Sequence, residues 1–265
     1  MIVNLASTSP GVLSGDRLEV KVDVAPDARM LLTMPSASRI HTMTAGHAEL
    51  RQVFHVSAGG MLDYWPEYLI PQARSRYRQR NMLHVEPRGT LLWTESLAPG
   101  RTASGEIFAF SELRIATDLH VGEAHVARER YSMTKGDATQ RALLRQFPTP
   151  YYASILCVSP RLASAGDALS RLGALHDGDH VWTGASRLTE SARVEKVIAA
   201  GSPELRQTIA AIRAELYSVL NVGQPAIRRT TGESRLHLRV EEPMRNAAVP
   251  GGVIGLSVAA GSTGG

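Results

Sequence analysis

Polar and apolar residues alternate strictly over Arg17-Leu-Glu-Val-Lys-Val-Asp-Val24. Leu18, Val20, Val22 and Val24 share one face and charged side chains the other, the period of a half-buried β-strand. Turn chemistry follows at Ala25-Pro-Asp-Ala28, and Arg29–Met34 reads as the next strand. Further strands are predicted at Leu91–Glu95, Ile107–Thr117, Leu119–Tyr131, Tyr151–Ser159, Val181–Leu188 and Ala192–Ala199. Helical spacing is confined to the second half. Leu162, Ala165, Leu169, Leu172 and Leu175 recur at three and four residues, which predicts an amphipathic helix over Arg161–Leu175. Pro203–Leu220 is the clearest helix: Ser202 suits the N-cap, Pro203 the first helical position and Glu204 the positive helix end. Leu205, Ile209, Ile212, Leu216, Val219 and Leu220 form its apolar stripe, and Asn221 and Gly223 its stop signal. Asp137–Phe147 has room for a turn or two of helix.

A weak repeat overlies the strand pattern. Val24-Ala-Pro-Asp-Ala-Arg-Met30 is echoed by Val56-Ser-Ala-Gly-Gly-Met-Leu62 and by Val85-Glu-Pro-Arg-Gly-Thr-Leu91. Each copy has Val, three turn-type residues, a small residue (Ala28, Gly60, Gly89), any residue, then an apolar one. Starting at 24, 56 and 85, the copies lie 32 and 29 residues apart. Such periods mark stacked rungs, each covering the apolar face of the one before. The expected fold class is mainly β, a β-helical or solenoid-like stack of strands with about two α-helices in a single domain. That domain is expected over residues 1–228. Residues 229–265, basic and then Gly-rich, are expected to form a flexible tail outside the core.

Composition narrows the class of activity. The single cysteine, Cys157, excludes an intramolecular disulfide and a Cys-rich zinc site. Aromatics make up only 5%, too few for a nucleic-acid platform of stacked rings. No run of about 18 apolar residues is present, so no membrane span is expected, and no signal-peptide pattern opens the chain. The expected compartment is the cytoplasm. The net charge of +4 is mild and carried by Arg, with only three Lys; Arg favours planar pairing with carboxylates and so a protein interface over nucleic acid.

Catalytic signatures are missing: no Gly-x-Ser-x-Gly elbow, Walker loop or His-Glu-x-x-His occurs. The most metal-like string is His176-Asp-Gly-Asp-His180. Its imidazoles and carboxylates suit Ni, Zn or Mn, while its Asp-Gly pair marks a polar turn. No tight metal site is assigned; His176, Asp177, Asp179 and His180 stand as weak candidates for an ion in transit. His41, His47 and His55 read as solvated or singly hydrogen-bonded. Nothing in the sequence brings His84, His120 and His125 together. Cys157, inside an apolar run, reads as a buried structural thiol. Arg74, Arg76, Arg78 and Arg80 alternate along an extended stretch, either as a charged edge strand or as a face for an acidic partner.

Four ordered motifs resemble the urease accessory protein family UreD, also called UreH. Pro10-Gly-Val-Leu-Ser-Gly-Asp16 before the first alternating strand is similar to that family's Pro-Gly-Gly-(Leu/Val)-x-Gly-Gly-Asp opening. Leu31–Arg39 resembles its Leu-Thr-Thr-x-Ala-x-x-Lys segment, and Leu62–Gln79 its Leu-Glu-x-x-Pro stretch. Gly100-Arg-Thr-Ala-Ser-Gly-Glu-Ile-Phe108 matches Gly-Arg-x-x-x-Gly-Glu-x-Phe. The resemblance covers residues 10–228, with Ser14 where Gly is usual and Met34 and Arg39 for Thr and Lys. Members usually carry more residues ahead of the first motif, so the opening strands are expected to be truncated here.

The resemblance implies a β-helical fold with a pair of helices and no enzymatic activity. It implies a scaffold that joins UreF and the GTPase UreG, docks on the urease apoprotein and assists nickel insertion, with nickel in transit along an internal route. Gly11, Gly15, Asp16, Arg101, Gly105 and Glu106 are the family-motif or partner-binding positions. Gly15 and Gly105 are expected to supply backbone freedom, Asp16 and Glu106 to cap amides, and Arg101 to pair with one of those carboxylates. Two alternatives remain from the residues themselves: a metal-dependent hydrolase using His176–His180, and a general β-solenoid interaction module.

Overall fold

The structure, a computed structural model, describes residues 1–6, 9, 11–165, 175 and 178–225, and the backbone alone of 253–260. Its core is a β-solenoid of about four turns. The first turn runs through β2 (Arg17–Val24), β3 (Arg29–Thr33) and β4 (Ser38–Ile40); β1 (Ile2–Asn4) precedes it and lies parallel to β3. The second turn is β5 (Ala48–Val56), β6 (Met61–Trp65) and β7 (Leu69–Pro71), and the third is β8 (Arg76–Val85) and β9 (Thr90–Leu97). β10 (Glu112–Val121) begins the fourth. β2, β5, β8 and β10 stack parallel in one sheet, and β3, β6 and β9 in the other.

The stack then changes sense. β11 (Ala124–Thr134) folds back antiparallel on β10, while β12 (Tyr151–Val158) and the hairpin of β13 (Val181–Thr189) and β14 (Ala192–Ala199) extend the opposite sheet antiparallel. α1 (Ala138–Gln146) links β11 to β12, and α2 (Ser202–Leu220) covers the outer face of the β3-containing sheet. β15 (Val253–Ala260) pairs parallel with β2, within the stretch read from the sequence as a tail.

The repeat is the corner of each rung. Val24, Val56, Val85 and Val121 stand in register, one above another, across the four strands. After each of the first three comes a four-residue turn closed by an N–H of Ala28, Gly60 or Gly89 donating to the carbonyl three residues back. The third turn residue has positive φ in every copy: Asp27 at 58°, Gly59 at 74° and Arg88 at 71°. With Pro26 and Pro87 at the second position these are type II turns. The small fourth residue follows from the stacking. A Cβ on Gly60 would meet Ala25 O at 2.9 Å, and one on Gly89 would meet Val85 Cγ1 at 2.9 Å and Ser57 O, in the neighbouring turn, at 3.2 Å.

Between the sheets, Val22, Phe54, Leu83, Leu91 and Trp93 are fully buried, with Phe54 edge-on to Trp93 and Tyr64 stacked on it at 4.1 Å between ring centroids. On the other side of the β3-containing sheet, the stripe of α2 meets Leu92, Ile155, Cys157 and Val197. The stripe holds a charge that apolar spacing does not reveal. Arg213 is 1% exposed and forks onto Asp63 at 2.6 and 2.8 Å, with Thr94 Oγ1 at 2.7 Å and the Trp65 ring at 4.0 Å. Tyr217 donates to the same carboxylate.

Four local expectations change. The residue capping α2 is Gly201, with no side-chain cap; Ser202 is the first helical residue and its hydroxyl turns to Tyr68 Oη at 3.2 Å. Ile107–Ser111 is not strand: Phe108 takes φ 49°, and burial of Phe108 and Phe110 is met from a loop. Gly122 at φ 56° splits the stretch expected as a strand over Leu119–Tyr131 into the β10–β11 hairpin. Of the helix expected over Arg161–Leu175, Pro160–Ser164 forms a 3-10 turn capped by Ser159, and residues 166–174 lie outside the described ones.

Candidate functional site

In a parallel stack, residues in register on neighbouring rungs point the same way, so one polar residue per rung at the same inward position makes a polar column. Gln52, Asn81, Thr117 and Glu129 form such a column across β5, β8, β10 and β11. Facing it from the other sheet stand Glu95, Ser154 and Lys196, in register across β9, β12 and β14. Thr117 and Glu129 of the first column and all three members of the second line a cavity of about 500 Å³ between the sheets, which Gln79 also borders. Its lining begins with exposed Ala6 and Ser9 beside the first rung and ends with exposed Arg130 and Lys196 beyond the last. Apolar and aromatic walls from Leu18, Leu50, Tyr77, Ile115 and Tyr131 complete it.

Glu95 sits at its centre. Gln79 Nε2 and Asn81 Nδ2 donate to Oε1 at 2.8 and 2.9 Å, and Thr117 Oγ1 donates to Oε2 at 3.2 Å. Burial pushes the carboxyl up to about 7, against the lowering influence of Trp93, Asn81 and Thr117. Trp93 Nε1 is buried near it without a hydrogen bond of its own. The chain of contacts continues upward from Gln79 to Gln52 at 3.4 Å, and Gln52 donates to Tyr64 Oη at 3.3 Å. Toward the far end, Ser154 Oγ and Lys196 Nζ approach Glu129 at 2.8 and 2.7 Å. Burial works against the Lys196 charge, but Tyr152 and Glu129 hold its pKa above the ordinary lysine value. A path of carboxylate, amide and hydroxyl groups, none closed into a cage, suits a small hydrated cation that must pass and be released.

The motif residues fall in two loops, of which the first reaches this cavity through Gly11. Gly11 lines its near end and takes φ 155°; a Cβ there would meet Arg39 O at 2.5 Å and the His41 ring at 2.7 Å. Gly15 has φ 86°, and Asp16 accepts from Leu13 N at 2.8 Å, closing that loop. Arg101 forks onto Glu106, with Nε to Oε2 at 2.9 Å, and Glu106 also accepts from Ala73 N at 3.0 Å. The guanidinium beside it holds the Glu106 carboxyl below its ordinary value. Gly105 closes the turn Thr102–Ser104 at φ 73°. This second loop borders a shallower groove of about 400 Å³ with Arg39, Tyr68, Tyr151 and Ser202.

Other candidates separate. Asp179 and His180 are exposed ahead of β13, and His176 and Asp177 lie outside the described residues. Among the described residues, no three His, Cys, Asp or Glu side chains stand grouped to hold an ion. Cys157 packs under α2, where burial pushes its thiol up to about 12. Arg74 falls in a turn at φ 62°, while Arg76, Arg78 and Arg80 share the outer face of β8, with Arg78 Nε paired to Glu112 at 2.7 Å. His47 approaches Glu49 at 2.8 Å. His84, His120 and His125, which the sequence leaves apart, stand on neighbouring strands. The axial columns escaped sequence reasoning as well. Their members look like isolated polar residues inside strands, and only the observed register aligns them.

Comparison with known proteins adds an independent finding. A family profile described as "UreD urease accessory protein" matches residues 1–231. Urease accessory protein UreD of Opitutus terrae is 32% identical over 216 residues, spanning 82% of this chain and 79% of that protein. UreD of Haloarcula marismortui is 31% identical over 194 residues, 72% of this chain and 64% of its own. UreD 2 of Methylorubrum extorquens is 35% identical over 161 residues, 59% of this chain and 51% of its own. The chain thus spans half to two-thirds of the latter two proteins.

Proposed function

The chain belongs to the UreD urease accessory protein family, and from that premise we propose that its axial cavity carries nickel on the way to urease. As a member it serves urease maturation and is not itself a catalyst, which removes the hydrolase alternative. No helix among the described residues is long and apolar enough to cross a membrane.

On this reading the protein acts in the cytoplasm, joined to UreF and UreG, and docks on the urease apoprotein. Nickel is cargo here and not a resident cofactor. The observation that carries the reading is the pair of facing polar columns, four strands long on one side and three on the other, inside an otherwise apolar core. Burying that many amides and carboxylates gains nothing for folding over a packed apolar interior, so a passage accounts for them better than stability does. Glu95, with a pKa near neutrality, offers an oxygen ligand that binds weakly and exchanges.

The test is to fill the passage. Thr117→Leu and Ser154→Leu place apolar bulk at two points of the cavity lining. With partner association intact by co-purification, the nickel content of urease matured with either variant should fall several-fold. Full nickel loading through both filled variants would overturn the proposal.

A further inference from the structure

The outer face of the β2-containing sheet, away from the axial cavity, carries a column of four histidines. His55 is in register with His84, His84 with His120, and His120 with His125, on β5, β8, β10 and β11. Each alternates with a buried or half-buried inward residue, Phe54, Leu83, Leu119 and Val126. The His84 and His120 rings stack at 5.0 Å between centroids with 25° between planes, and His120 and His125 approach at 4.9 Å. Carboxylates flank both ends. Glu86 Oε1 lies 3.5 Å from His55 Nε2, and Asp118 Oδ1 lies 3.1 Å from His125 Nε2 and also accepts from Arg128.

We propose that this histidine ladder binds a divalent transition-metal ion of the imidazole-preferring kind, Ni2+, Cu2+ or Zn2+, between adjacent rings, with His84 and His120 as the central pair. The spacing is favourable for a reason built into the fold. Parallel in-register strands about 4.8 Å apart direct both Cβ atoms alike, so neighbouring rings lean to the same side. Bringing two ring nitrogens about 2.1 Å from one ion asks for a rotation of each ring about its side-chain bonds and no movement of backbone. The ladder offers imidazoles two at a time, and water completes the coordination. The site is therefore open and exchangeable. Asp118 supplies the usual outer partner of a ligating histidine, orienting His125.

The ladder and the axial cavity lie on opposite faces of one sheet, so this inference stands or falls apart from the proposed passage. The experiment uses the full chain stripped of metal and titrated with Ni2+ alone and then Cu2+ alone by calorimetry. The double variant His84→Gln with His120→Gln keeps the polar stack and removes both central nitrogens. Binding should weaken at least about tenfold in that variant, since losing even an outer-shell partner typically costs that much. Electron paramagnetic resonance of the Cu2+-loaded wild type should show coupling to two or more nitrogens, a readout that needs no variant to fold. Unchanged affinity in the double variant, or copper without nitrogen coupling, would overturn the site. So would binding that survives in the double variant but is lost in Glu95→Gln, since that places the ion in the axial cavity instead.

Discussion

Glu95 and Arg213 show two ways of burying a charge within one sheet. Arg213 meets a full set of partners in Asp63, Tyr217 and Thr94, leaving only Nε without a hydrogen bond. Such a pair fixes how α2 seats on the sheet more than it adds stability. Glu95 has amide and hydroxyl donors but, among the described residues, no paired cation, and burial raises its pKa from 4.5 to about 7. The sign of the consequence follows. An acid whose folded pKa is raised holds its proton in the native state while the unfolded chain releases it, so stability falls as pH rises from 4.5 through 7. Glu95→Gln should therefore match the wild type near pH 4.5 and exceed it above pH 7, by up to about 3 kcal/mol. Urea unfolding at the two pH values measures this; an equal difference at both would show that Glu95 titrates normally. Neither residue's role was legible beforehand. Arg213 reads as a polar break in an apolar stripe, and Glu95 as one more charge in a strand.

At the scale of the element, the type II corner is the unit that repeats. It was legible in the sequence because it has a local cause: a turn with φ positive at the third residue and a close approach at the fourth constrain residue type wherever they occur. The approach is tight enough to predict opposite effects within one turn. Gly89→Ala puts a methyl 2.9 Å from Val85 Cγ1 and 3.0 Å from Glu86 O, and should destabilise by about 1–3 kcal/mol. Arg88→Gly, one residue earlier, relieves a left-handed non-glycine position and should stabilise by about 1 kcal/mol. Denaturant midpoints of the two variants decide the matter; effects of the same sign would contradict the turn geometry. The boundaries of β10 were less legible. Phe108 and Phe110 look like strand residues, and only their packing against Ile40, Tyr77 and Leu113 shows that a loop buries them.

For the whole molecule, the change from parallel rungs to antiparallel closure sets both the ends of the cavity and the order of stability. Strands β5, β8 and β9 are paired on both sides within the stack, whereas β1, β11 and β13 end their sheets. Backbone amides of the first group should exchange with deuterium slowest and those of the second fastest, because edges open without disrupting the core. Hydrogen-exchange mass spectrometry reads this directly. Uniform protection across edge and central strands would mean that the rungs unfold only as one unit. α2 shields one sheet, while the outer face of the other keeps its rows of Arg and His toward solvent.

The sequence by itself determined the rungs, the corners and the long helix, and through four ordered motifs it pointed to the family. Each rests on local rules of alternation, turn geometry and helical spacing, which residues close in the chain obey together. The tertiary structure alone decided what the rungs enclose and display. Gln52, Asn81 and Thr117 are 29 and 36 residues apart, and so are His55, His84 and His120. Unequal loop lengths hide such columns from any fixed period. Only the hydrogen-bonded register, set by where each corner turns, stacks one set inside the solenoid and the other on its surface.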